Sequence, residues 1–70
     1  MERSTVISSN ISSIGYDVST ETLEVEFQDG GIYHYFGVPE TIYAGLMQAP
    51  SKGRYLNEYV KDCCGYERIR

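Results

Sequence analysis

Thr22-Leu23-Glu24-Val25-Glu26-Phe27 constrains this chain more than any other stretch. Leu23, Val25 and Phe27 alternate strictly with Glu24 and Glu26, so the apolar side chains share one face of a strand and the carboxylates the other. Two glutamates on one face require water there, which implies an antiparallel sheet covered on a single side. A turn signal, Gln28-Asp29-Gly30-Gly31, follows at once, and a dense aromatic strand, Ile32-Tyr33-His34-Tyr35-Phe36, lies beyond it. The resulting hairpin has two candidate registers, and its loop length selects between them. A two-residue loop, Asp29-Gly30, pairs Phe27 with Ile32 and sends Ile32, His34 and Phe36 inward. A three-residue loop, Gln28-Asp29-Gly30, with Gly30 left-handed, pairs Val25 with Tyr33 and Leu23 with Tyr35 on the core side. It places Glu24 opposite His34 on the wet side and leaves Ile32 and Phe36 more exposed. The second register is preferred, because it gives the imidazole a carboxylate neighbour instead of burying it alone.

Upstream, Ile14 and Tyr16 keep a two-residue period while Ile11 and Ile14 break it. A strand over about 11–17 follows, with a bulge or late start near Ser12-Ser13. The serines before it leave open a late strand start or an arm. Downstream, Gly37-Val38 ends the aromatic strand, and Pro39 stands where a helix begins, its missing N–H costing nothing there. Glu40 suits the positive end of the helix dipole. Ile42, Tyr43, Leu46 and Met47 form an apolar stripe of helical period, predicting a helix over about 39–48 that stops before Pro50. Ser51 is a good N-cap for a second helix over about 52–63, with Tyr55, Leu56, Tyr59, Val60 and Cys63 on its apolar stripe. Gly65 ends it with a left-handed stop, and Tyr66–Arg70 reads as a short tail. The expected fold is α+β: a three-stranded antiparallel sheet, in the order β-β-β-α-α, with both helices packed on one face.

Seventy residues make one domain, 1–70 with its core over about 6–67, and bury only ~60% of the surface the unfolded chain exposes. Such a chain often carries a staple, but the two cysteines, Cys63 and Cys64, are adjacent, and a vicinal disulfide closes almost no loop. They read as two thiols of a reducing compartment. No run of ~18 apolar residues exists to span a membrane, and no apolar h-region follows Met1. Asn10-Ile11-Ser12 matches a glycosylation sequon that has no secretory context. The expected location is cytoplasmic.

Four ordered segments resemble the KTSC domain family. They are Ile14-Gly15-Tyr16-Asp17, Leu23-Glu24-Val25-Glu26-Phe27, Gly37-Val38-Pro39 and Ser51-Lys52-Gly53-Arg54-Tyr55-Leu56-Asn57. The family's central Y-x-Y is matched by Tyr33-His34-Tyr35. The resemblance spans about 6–67. This domain is named for its place at the C-terminus of some lysyl-tRNA synthetases and also occurs as a small stand-alone bacterial protein. It carries no established activity; what the resemblance implies is an RNA-binding role.

The net charge of −4 disfavours polyanion partners on its face, but it is unevenly spread. Residues 1–50 carry Arg3 against Glu2, Asp17, Glu21, Glu24, Glu26, Asp29 and Glu40. Residues 51–70 carry Lys52, Arg54, Lys61, Arg68 and Arg70 against only Glu58, Asp62 and Glu67. The best binding candidate is Ser51-Lys52-Gly53-Arg54, a helix start where free N–H groups, a glycine and two cations favour an anion. Lys61 belongs to the same candidate, and Arg68 and Arg70 extend the patch if the tail folds back. Tyr33 and Tyr35 read as packing residues rather than a base-stacking platform, since Glu24 and Glu26 on the sheet's outer face repel phosphate. With one histidine, His34, and no CxxC, no metal site or cofactor is expected. Nothing assembles acid, base and nucleophile, so the expected class is a non-catalytic binding module for RNA or another phosphate-bearing partner. The rival expectation is a protein-interaction adaptor or homodimer using a sheet edge or the exposed Ile32 and Phe36.

Overall fold

The computed structural model describes residues 1–62 and 64–70. Its centre is β3 (Thr22–Phe27), which pairs on one side with β2 (Ile11–Asp17) and on the other with β4 (Ile32–Phe36). Short strands extend both edges, β1 (Arg3–Thr5) beside β2 and β5 (Gly65–Arg68) beside β4. The sheet therefore has five antiparallel strands in the order β1-β2-β3-β4-β5, not the three expected. The two missed strands are four residues or fewer, too short to show a period. The tail read as an appendage is β5, and Gly65 begins that strand without a positive φ; only Gly30 and Gly37 among the glycines take one.

The hairpin adopts the three-residue loop. Gly30 has φ 92°, its N–H bonds the Phe27 carbonyl at 2.9 Å, and the Phe27 N–H bonds the Gly31 carbonyl at 2.8 Å. Val25 pairs with Tyr33, Leu23 with Tyr35, and Glu24 with His34. In β2 the register shifts between Ile11 and Ser13, so that Ser12 is an extra residue. That bulge turns both Ile11 and Ile14 inward, which no regular strand could do at a spacing of three. Phe36 is exposed as expected, but Ile32 is only 5% exposed. The two residues after β5 are the reason: Ile32 exchanges backbone bonds with Ile69 and Arg70, which lay the C-terminus alongside it.

Helix α1 (Glu40–Gln48) starts after Pro39, whose carbonyl accepts the Ile42 and Tyr43 N–H groups, and ends at an extended Ala49. Helix α2 (Lys52–Leu56) runs straight into a π-helical segment, Asn57–Lys61. Ser51 occupies the capping position in extended conformation, yet its side chain makes no capping bond. The place of Cys63 on this helix lies outside the described residues. Leu46, Leu56 and Val60 meet Ile11, Ile14, Leu23, Val25, Tyr35 and Val38 in one buried cluster, so both helices cover the same sheet face. Burying a side chain such as Leu46 or Leu56 contributes roughly 1.5–3 kcal/mol.

Candidate functional site

At the β4–β5 end, the same face opens into a groove of about 710 Å³. Cross-strand pairing builds it. Tyr35 lies opposite Tyr66 and Tyr33 opposite Arg68, and directly paired residues project to one side of a sheet. Phe27, at the end of β3, and Lys61, at the end of the π-helical segment, complete the walls. The rings are clustered: Phe27 meets Tyr33 edge-on at 5.5 Å, and Tyr66 lies 6.1 Å from Tyr33 and 6.0 Å from Tyr35. Tyr35 is 2% exposed and forms the floor, whereas Tyr66 is 63% exposed at the mouth. Burial, helped by the neighbouring Tyr33 and Tyr66, pushes the Tyr35 phenol up to about 12, so it stays a neutral donor at ordinary pH.

Two cations lie over this surface, Lys61 Nζ 5.4 Å from the Phe27 centroid and the Arg68 guanidinium 5.7 Å from that of Tyr33. Among the described residues neither is paired with an Asp or Glu side chain; those carboxylates go to Arg3, His34 and Arg54. Arg68 donates instead to the Arg70 carbonyl at 3.0 Å. The polar rim includes Asn10, Gln28 and Asp29. Gln28 donates to the Ser8 and Ile11 carbonyls, and Asp29 accepts the Gly31 N–H at 2.9 Å.

The residues singled out in the sequence fall into two groups. Tyr33, Tyr35 and Lys61 come together in the groove. Ser51 and Arg54 line a separate, smaller cleft beside Tyr55 and Tyr59. There Lys52 turns its ammonium back to the Ala49 carbonyl at 3.1 Å, and Arg54 pairs with Glu58 at 3.1 Å. Gly53 faces Asn10: a Cβ on it would lie 3.2 Å from the Asn10 amide nitrogen, so the glycine permits the 6–10 loop to pack on the helix. Phe27, Tyr66 and Asn10 were not singled out as site residues in the sequence, and Arg68 only as an extension of the patch should the tail fold back. The alternation of Tyr66 and Arg68 across Glu67 was the available signal, and two matches are too few to identify a strand.

On the opposite face Glu24 accepts hydrogen bonds from Arg3 and His34, both at 2.7 Å, and Ser13 donates to Glu26 at 2.9 Å. Burial alone would raise the Glu24 carboxyl, but the bonds from His34 and Arg3 outweigh it and hold the group below the usual value. This face is acidic and internally paired, while the groove is aromatic and carries cations. Among the described residues no cluster of three or more His, Cys, Asp or Glu side chains is placed to hold a metal, and no helix is long and apolar enough to cross a membrane.

These features define a small α+β domain, a meandering sheet with helices on one face and an aromatic groove where that cover ends. The chain belongs to the KTSC domain family, whose sequence pattern matches residues 7–66. It is 40% identical to a KTSC domain protein from Yersinia pestis whose crystal structure superposes with a TM-score of 0.94, over 99% of this chain and 97% of that one. A lysine–tRNA ligase of Nostoc sp. is 43% identical over 59 residues, 84% of this chain but only 10% of the ligase. An uncharacterised protein of Stutzerimonas stutzeri is 41% identical over 61 residues, 87% of this chain and 86% of its own length. The relatives thus include proteins of this size as well as ligases of which it spans a tenth.

Proposed function

We propose that this domain is a non-catalytic binding module of the cytoplasm that takes RNA in the aromatic groove, through Tyr33, Tyr66, Lys61 and Arg68. The carrying observation is the pair of cations that lie on ring faces, neither paired with an Asp or Glu side chain among the described residues. In a chain of net charge −4, the two that lie on ring faces are left for an anion from outside. Aromatic rings beside cations are the equipment of single-strand and loop recognition. Similarity to a tenth of a lysine–tRNA ligase agrees with an RNA partner. The helix start at Ser51–Arg54 carries less of this reading, because Lys52 and Arg54 already have protein partners.

Two double variants test it by fluorescence anisotropy on labelled RNA at low salt. Lys61→Ala with Arg68→Ala abolishes binding, and Lys52→Ala with Arg54→Ala weakens it little. Wild-type affinity falls with salt at a log–log slope of about −0.7 for each phosphate contacted. The reverse ranking of the two variants would return the site to the helix start, and absence of RNA binding would end the proposal. A self-association reading rests on the short β5 edge beside exposed Phe36 and Ile69. Light scattering across concentration separates it, since a strict monomer excludes a homodimer.

A further inference from the structure

The protein's own cations already lie over two of the groove's rings, Lys61 over Phe27 and Arg68 over Tyr33. Such contacts are weak at exposed sites, and both side chains are long and rotatable. A base that stacks on Tyr33 must displace Arg68, and the phosphate next to that base gives the guanidinium a better partner than a ring face. Tyr33 then exchanges its cation for a base, and Arg68 and Lys61 each exchange a ring face for a phosphate. A double helix can supply only the second half, because its bases are already paired and stacked on one another. Tyr66 offers the first landing place: it is 63% exposed, and among the described residues no cation lies over it. The acidic outer face, with Glu24 and Glu26, turns a polyanion away from the rest of the sheet and leaves the groove as the approach. Asp29 at the rim accepts the Gly31 N–H and keeps its negative charge, which Lys61 and Arg68 outnumber in the groove.

We propose that the groove selects unpaired polynucleotide over duplex, with one base on Tyr66, the next on Tyr33, and the neighbouring phosphates on Lys61 and Arg68. This rests on the groove being the RNA site, and it adds the state of the strand. The test is anisotropy at low salt with a short labelled single-stranded RNA, the same sequence closed into a duplex, and the matching single-stranded DNA. Each probe is titrated with wild-type protein, Tyr66→Ala and Tyr66→Phe, all checked for fold by circular dichroism.

The single-stranded RNA binds more tightly than the duplex by about tenfold or more, as expected from two stacked bases. Tyr66→Ala weakens it by about five- to a hundredfold and leaves duplex binding alone, whereas Tyr66→Phe keeps wild-type affinity. Single-stranded DNA binding equally well supports the unpaired strand as the ligand and widens its source beyond RNA. Duplex and single strand binding alike would overturn the selection while RNA binding stood. Full affinity in Tyr66→Ala, or displacement of the RNA by polyglutamate at equal charge, would overturn stacking as its cause. Absence of binding to every probe removes both this inference and the RNA site beneath it.

Discussion

Gly15 shows how one missing side chain can organise a sheet edge. A Cβ there would lie 2.6 Å from the Glu2 carbonyl oxygen and 3.0 Å from the Arg3 side chain, so residues 1–3 lie this close to β2 only because this residue is glycine. Gly15→Ala should therefore push β1 off and break the Arg3–Glu24 bond. The expected loss is about 1–3 kcal/mol, visible as a lower melting midpoint by circular dichroism. An unchanged midpoint would mean that β1 adds nothing to stability. Tyr35 gives a second check at the same scale. Its phenol titrates near 12, above the ordinary 10. Stability is thus complete below pH 10 and falls as the pH climbs toward 12, because the unfolded chain releases that proton first. Absorbance titration of phenolate should show a late step that Tyr35→Phe removes. The sequence exposed the Glu24–His34 neighbourhood, since hairpin partners are close along the chain. It could not reveal that Arg3, 21 residues from Glu24, completes the pair.

Among the elements, one row crosses the whole sheet. Arg3, Gly15, Glu24, His34 and Glu67 are successive partners, one from each strand. The His34 imidazole stands between the two carboxylates of this row, and the glycine gap lets Arg3 reach past β2 to Glu24. With its folded carboxyl held below the ordinary 4.5, Glu24 contributes stability that is present above that value and lost as pH falls through the lower folded one. Urea midpoints measured from pH 6 downward should drop in that acid range, and Glu24→Gln should make the acid limb shallower. An identical limb in the variant would assign the acid sensitivity elsewhere. β2, β3, β4 and both helices were legible as elements because each carries enough residues to display its period. β1 and β5 were not, since a strand of three or four residues takes its identity from the neighbour it bonds.

At the scale of the whole molecule, β5 has two structural roles. It seals the β4 edge along residues 33–36, and it supplies Tyr66 and Arg68 to the groove. A chain ending at Cys64 should lose stability on the order of 2 kcal/mol, from several ladder bonds at ~0.5–1.5 kcal/mol each, offset by the entropy of a freed tail. Urea denaturation would register the shift, and a wild-type midpoint would show that the other four strands fold independently of the fifth. Most of the cations of the C-terminal segment were visible as a basic excess, but their roles were not. Lys52 and Arg54 have protein partners, whereas Lys61 and Arg68 lie on rings from different elements.

The sequence by itself determined what local periodicity and turn chemistry can carry. Strict alternation over Leu23–Phe27, the left-handed Gly30 and the helical stripes were enough for an α+β meander with its tyrosines paired against Leu23 and Val25. Only the tertiary structure decided where the helical cover stops. Tyr35 becomes a floor and Tyr66 a mouth because β5 extends the sheet past the last helical turn, leaving aromatic residues beneath an open groove. That limit depends on contacts between residues some thirty positions apart, and no local pattern encodes them.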